Sequence, residues 1–247
     1  MNSTSAGPLA AFSEPTRDWF TGTFPAPTEA QTQAWAAIAA GRHTLVIAPT
    51  GSGKTLAAFL WAIDALARDT DARQPGTRVL YISPLKALAV DVERNLRTPL
   101  AGIARTAQHR GLPAPQLTVG VRSGDTTAAR RRQLITHPPD ILITTPESLF
   151  LMLTSAARDT LTGVGTVIVD EVHAVAGTKR GSHLALSLER LDALLPRPAQ
   201  RIGLSATVRP AEEVARFLSG AAPTTIVAPP TEKTFELTVQ VPVPDMA

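Results

Sequence analysis

An α/β fold, with a mostly parallel central sheet flanked by helices, is predicted by three observations on this sequence. Short β-branched runs alternate with helix-like stretches along most of the chain. The runs are nearly continuous in apolar character, as strands buried on both faces must be. A Gly-rich turn, Gly51-Ser52-Gly53, joins one such strand to one such helix. Alternation of this kind builds βαβ units with right-handed crossovers, and sheets so built collect ligands at the carboxyl ends of their strands.

The bulk properties agree with that fold. A length of 247 residues suits one large α/β domain or two small ones. Hydrophobic residues make up 44% and charged residues 18%, so the chain is globular rather than disordered. The net charge of +3 permits a nucleic-acid partner without arguing for one. The absence of cysteine excludes disulfides and thiolate metal sites. No signal-type segment opens the chain and no apolar run reaches membrane-spanning length, which predicts a cytoplasmic protein with no membrane association.

The elements follow in order. Residues 1–14 read as a flexible arm, residues 15–228 as one folded lobe and residues 229–247 as the start of a connector. Thr28 is a good N-cap for a helix from Glu29 to Ala40, which Gly41 stops. Strands are predicted at Thr44–Ile47, Arg78–Ile82, Leu117–Val121, Ile141–Thr144, Thr166–Val169 and Arg201–Leu204. Helices are predicted at Leu56–Ala67, Leu85–Leu96, Thr127–Thr136, Glu147–Leu153 and His183–Leu194. From Ala221 onward the chain reads as a strand leaving the domain, with Phe235 to Val243 in β-like alternation after a Pro-rich stretch.

Ala48-Pro49-Thr50-Gly51-Ser52-Gly53-Lys54-Thr55 lies between the first strand and its helix. Glycines there let backbone N–H groups converge on an anion, and the helix N-terminus adds unpaired N–H groups and partial positive charge. Lys54 would reach the β- and γ-phosphates, and the Thr55 hydroxyl would ligate Mg²⁺. The strict P-loop pattern opens with Gly, where this chain has Ala48. A second motif, Thr166-Val167-Ile168-Val169-Asp170-Glu171, is an apolar strand ending in two carboxylates. Alone it would be an ordinary solvated strand end. On one sheet with a phosphate cradle, Asp170 becomes the candidate for the metal and Glu171 for the attacking water. Together these motifs point to a nucleoside triphosphate and Mg²⁺ as ligands.

Asp170-Glu171-Val172-His173 resembles the DExH box of superfamily 2 helicases, and further blocks fall in the order that family shows. Pro27-Thr28-Glu29-Ala30-Gln31 resembles the Q motif, Ser83-Pro84-Leu85-Lys86-Ala87-Leu88 motif Ia, and Arg122-Ser123-Gly124-Asp125 the small Gly-containing motif after it. Thr144-Thr145-Pro146-Glu147-Ser148-Leu149 resembles motif Ib, and Ser205-Ala206-Thr207 motif III. Each block is weak by itself; their order, from Phe24 to about Val243, carries the resemblance. The wording of the phosphate loop and motif Ia looks most like the Lhr (large helicase-related) group.

The resemblance implies a RecA-like lobe, the first of two, of an ATP-driven 3′-to-5′ single-strand translocase that unwinds duplexes, RNA:DNA hybrids included. It implies that Gln31 reads the adenine edge and that Ser205, Ala206 and Thr207 couple nucleotide state to strand grip through His173. The strand itself, DNA or RNA:DNA hybrid, would be held without sequence readout by helix N-termini, hydroxyls and cations. Pro84, Lys86, Arg122, Gly124, Thr145 and Pro146 are the residues in position to do so. Arg130-Arg131-Arg132 reads instead as a solvated helix face.

The second lobe of the family carries an arginine finger, worth about 10³-fold or more in phosphoryl transfer. After Thr207 the sequence offers only Arg209 and Arg216, outside any second lobe. The chain by itself is therefore expected to bind ATP weakly and to unwind little or nothing. Two other classes stand beside the helicase lobe. A binding module without turnover would show no nucleic-acid-stimulated ATPase. An unrelated P-loop kinase or transporter ATPase would leave Thr145-Pro146-Glu147 and Ser205-Ala206-Thr207 unexplained.

Overall fold

The computed structural model describes residues 7–69 and 76–230, with the side chains of residues 86–90 outside the description. In chain order its elements are α1 (Glu14–Thr23), α2 (Glu29–Ala39), β1 (His43–Ile47), α3 (Lys54–Arg68), β2 (Val79–Ile82), α4 (Lys86–His109), β3 (Val119–Arg122), α5 (Ala128–Thr136) and β4 (Ile141–Thr144). There follow α6 (Pro146–Leu153), a 3₁₀ turn (Ala156–Leu161), β5 (Thr166–Val169), α7 (Val172–Val175), α8 (Lys179–Asp192), β6 (Gln200–Ser205), α9 (Ala211–Ser219) and β7 (Thr224–Val227).

The seven strands form one sheet in the order β3-β4-β2-β5-β6-β1-β7. Every adjacent pair is parallel, where the sequence predicts a mostly parallel sheet. Successive strand side chains serve opposite faces. Tyr81, Ile143, Ile168 and Ile202 pack with Phe20, Trp35, Phe59, Ile63 and Ile103 of α1–α4. Leu80, Leu142, Val167 and Val169 pack with Leu149, Leu184, Leu188 and Leu218 of α6, α8 and α9. The inner strands are therefore covered on both sides.

The structure corrects four expectations. The arm ends earlier than residue 14: Phe12 is buried, its ring edge-on to Trp35 at 4.9 Å and to Trp61 at 5.6 Å. Ser13 donates from its N–H (3.1 Å) and its hydroxyl (2.5 Å) to Asp64, a fully buried carboxylate that needs such donors. The helix expected at Leu85–Leu96 runs instead over Lys86–His109, through Pro99, because its buried Leu96, Ile103 and Ala107 keep packing past that residue. Thr224–Val227 does not leave the domain; it pairs with β1 as an edge strand, His43 opposite Thr224. Helices α1, α7 and α9 have no counterpart among the predicted elements. The β-like stretch Phe235 to Val243 lies outside the described residues.

Candidate nucleotide and strand site

Every predicted motif but the one at Pro27–Gln31, which opens α2, lies at or just beyond the carboxyl end of a strand: Ala48 after β1, Pro84 after β2, Arg122 on β3, Thr145 after β4, Asp170 after β5 and Ser205 on β6. The parallel sheet thus gathers them on one rim. At the phosphate loop, Gly51 (φ +84°) and Gly53 (φ +79°) hold left-handed backbone. Ala48 does not, which is why alanine serves where the strict pattern has glycine. Its N–H donates to the Ser205 carbonyl at 3.1 Å, tying the loop to β6. Lys54 opens α3 and is buried, yet among the described residues its ammonium makes only one long bond, 3.5 Å to the Pro49 carbonyl. The Ser52 hydroxyl is buried with no partner among the described residues. The half-buried Thr55 hydroxyl makes no hydrogen bond among the described residues.

These unsatisfied donors fit a triphosphate, whose oxygens would satisfy them. No group of three or more His, Cys, Asp or Glu among the described residues could hold a metal. Thr55 and Asp170 alone suit Mg²⁺, which keeps waters and phosphate oxygens in its shell.

Gln31 is turned toward the loop. Its Oε1 accepts from the Thr28 N–H at 2.9 Å, closing a capping box on α2, and its Nε2 donates to the Gly53 carbonyl at 3.3 Å. Thr28 Oγ1 adds a 2.9 Å bond to the Ser52 carbonyl. This segment braces the phosphate loop, and the two bonds leave the Gln31 amide a second N–H and a second lone pair.

Asp170 is 6% exposed. Burial raises its carboxyl above the ordinary range, against which the Tyr81 hydrogen bond, the Glu171 N–H (2.9 Å) and the charge of Lys54 act. Tyr81 donates from its hydroxyl to Asp170 Oδ2. Glu171 adopts φ +46°, alone among described non-glycine residues in the left-handed region, and turns the chain sharply into α7. His173 Nδ1 accepts from the Ala206 N–H at 3.2 Å and lies 3.3 Å from Ser205 Oγ. That nitrogen is therefore unprotonated here, and Glu171 Oε2, 3.4 Å away, is a neighbour rather than a hydrogen-bond partner. Ser205 and the Ala206 backbone thus touch the acidic box, whereas Thr207 is exposed and makes no such bond.

Elsewhere on the rim, Pro84 is buried and the Lys86 side chain lies outside the described residues. Arg122 is 8% exposed and its Nη1 is buried without a partner among the described residues. Burial and the nearby Arg131 lower the Arg122 pKa. Thr145 is buried, and its hydroxyl caps α6 by accepting from the Ser148 N–H at 3.3 Å, so it serves its own helix. Pro146 occupies the first turn of that helix, and Glu147 is bound by Arg180, which holds its carboxyl down at about 2.

Sequence reading missed three residues. Arg131 is half-buried, donates to the Gly124 carbonyl at 2.8 Å and keeps its Nε buried with no partner among the described residues, so it is not a plain solvated residue. Nothing in the arginine run sets it apart from its neighbours. Arg180 carried no signal. Tyr81 did: it is the single tyrosine, set in an aliphatic strand, and a buried hydroxyl needs a partner.

Residues 28–216 match the family model of the DEAD/DEAH box helicases. The chain is 74% identical over 247 residues to a Mycolicibacterium smegmatis protein named Lhr helicase/probable uracil glycosylase, covering all of this chain and 16% of that protein. It is 60% identical over 241 residues to the Escherichia coli Lhr helicase/uracil glycosylase, covering 95% of this chain and 16% of the relative. The chain therefore spans about a sixth of the length of these two relatives. A solved Mycobacterium smegmatis helicase Lhr, bound to ssDNA and AMP-PNP, superposes with a TM-score of 0.90 at 75% identity, over 98% of this chain and 31% of that one. The helicase MrfA bound to DNA matches at a TM-score of 0.73 and 22% identity, over 89% of this chain and 30% of that one, a likeness of fold. No described helix is long and apolar enough to cross a membrane.

Proposed function

The chain belongs to the DEAD/DEAH box helicase family, and we propose that it is the ATP-binding lobe of a cytoplasmic Lhr-type enzyme that translocates 3′-to-5′ on single-stranded nucleic acid and opens DNA or RNA:DNA duplexes. One observation carries the reading. A single rim holds a buried, nearly unpartnered Lys54, the Asp170–Glu171 pair, and a His173 bonded to the Ser205–Ala206 turn.

Bound ATP with Mg²⁺ would supply the γ-phosphoryl group and the cation that neutralises its charge. Gly51, Ser52, Gly53 and Lys54 bind and orient the phosphates through backbone N–H groups, a hydroxyl and an ammonium. Thr55 and Asp170 hold the metal side. Glu171 orients the attacking water and accepts its proton. His173 passes the state of that corner to β6 through Ser205 and Ala206. On the same rim, Arg122, Gly124 and the N-termini of α4 and α6 grip strand phosphates, with Arg131 beside them. In this proposal an arginine from a second RecA-like lobe of the longer protein closes the γ-phosphate site.

The test compares ATP hydrolysis with and without single-stranded DNA, for the chain alone and joined to such a second lobe. Strong stimulation only in the joined form is expected, abolished by Lys54→Ala and Glu171→Gln. ATP binding with no stimulation in either form would instead make this a binding module. Strong stimulation of the chain alone would sink the half-site argument.

A further inference from the structure

We propose that Tyr81 is a positioning residue for the metal side of this site, fixing Asp170 through its hydroxyl and joining it to the helix that carries Thr55 through its ring. The inference rests on the ATP-site reading above and adds to it a residue outside every motif.

Strand register explains the geometry. Tyr81 lies opposite Ile168 on β5, and Asp170 follows two residues later. With a side-chain period of two, Asp170 falls on the same sheet face as Ile168 and Tyr81. The phenol is fully buried there and donates to Asp170 Oδ2, while Oδ1 accepts from the Glu171 N–H at 2.9 Å. One donor on each oxygen fixes the carboxylate plane, leaving further lone pairs for a hydrated cation. The Asp170 N–H is itself held by the Ile82 carbonyl at 2.9 Å, so backbone and side chain of the acid are both anchored to β2.

The other contact of the ring reaches the second metal-side residue. Tyr81 stacks on Phe59, with centroids 4.7 Å apart and planes 23° apart. Phe59 stands four residues beyond Thr55 on α3, one turn along the same helix face. The two oxygens assigned to the metal come from the residue after β5 and from α3, and Tyr81 touches Asp170 directly and α3 through Phe59. An apolar residue at position 81 would pack as well in this core but would leave Asp170 Oδ2 without its donor. Partners that orient a metal-side ligand in this way are typically worth about 10–100-fold in metal affinity.

The test is a titration of Mg²⁺ against binding of a fluorescent ATP analogue to the full chain, read by anisotropy, with EDTA giving the metal-free affinity. Tyr81→Phe keeps the ring and removes the donor. The expected result is an unchanged affinity in EDTA and an apparent Mg²⁺ requirement raised about 10–100-fold. In an Asp170→Asn background the same substitution should add no further change, since the partner is already altered. Phe59→Leu, which keeps the phenol but removes the stack, should raise the Mg²⁺ requirement too, and it serves as the second arm if Tyr81→Phe folds poorly. A lower melting temperature with an unchanged Mg²⁺ requirement, in either variant, would reduce Tyr81 to a packing residue and overturn the proposal. Failure of the parent chain to bind the analogue at all would overturn the ATP-site reading first, and this inference with it.

Discussion

Gly53→Ala tests how the phosphate loop is braced. Gly53 has φ +79°, and an added Cβ would lie 2.4 Å from Gln31 Nε2 and 3.1 Å from its Cδ. Left-handed backbone costs a non-glycine residue roughly 1–2 kcal/mol. Relieving the clash requires the Gln31 amide to withdraw, breaking its 2.9 Å capping bond to Thr28 and its 3.3 Å bond to the Gly53 carbonyl. Losing about one hydrogen bond of net value adds roughly 0.5–1.5 kcal/mol, for a total of about 1.5–3.5 kcal/mol. In a domain of this size that lowers Tm by about 5–10 °C. Gly41→Ala is the internal control, because Gly41 has φ +73° with nothing within 4 Å of an added Cβ, so it carries the backbone cost alone. Urea unfolding of both variants, in the parent and in a Gln31→Ala background, separates the two terms. Removing Gln31 should bring the cost of Gly53→Ala down to that of Gly41→Ala. If Gly53→Ala costs the same in both backgrounds, Gln31 is not what the loop leans on, and the bracing role fails.

Phe12→Ala should cost about 3–5 kcal/mol in urea unfolding, since the ring is buried between two tryptophans; a flexible arm would give less than about 0.5 kcal/mol. Arg131→Gln should shallow the salt dependence of single-strand binding by about 0.7 in the slope of log affinity against log salt, measured by oligonucleotide anisotropy. An unchanged slope would return Arg131 to the solvated face of its helix. Arg180→Met should release the Glu147 carboxyl from about 2 toward its ordinary 4.5, followed by carboxyl NMR. Because the folded value lies below the ordinary one, the pair stabilises fully above about pH 4.5 and loses its contribution as pH falls toward 2. The pair is half-exposed, so the stability at stake is below about 1 kcal/mol.

The sequence by itself determined the chemistry-bearing loops and the type of sheet. Gly51 and Gly53 before Lys54, and Asp170-Glu171 after an apolar strand, are local patterns whose backbone demands only a few residue types meet. The inner strands were legible because burial on both faces leaves a continuous apolar run. What local pattern could not carry was which atoms meet across the sheet. Gln31 and Thr145 look free as isolated letters, yet one braces the phosphate loop and the other caps its own helix, because a buried polar group takes the nearest partner the fold provides. Phe12 reads as part of a loose arm until Trp35 and Trp61 come together around it. The edge strand Thr224–Val227 depends on β1 offering an open edge more than 170 residues earlier in the chain. Tyr81 and Asp170 lie 89 residues apart. Only the register of β2 against β5 brings the phenol to the carboxylate, because pairing between distant strands is a property of the whole sheet and leaves no periodicity in either segment.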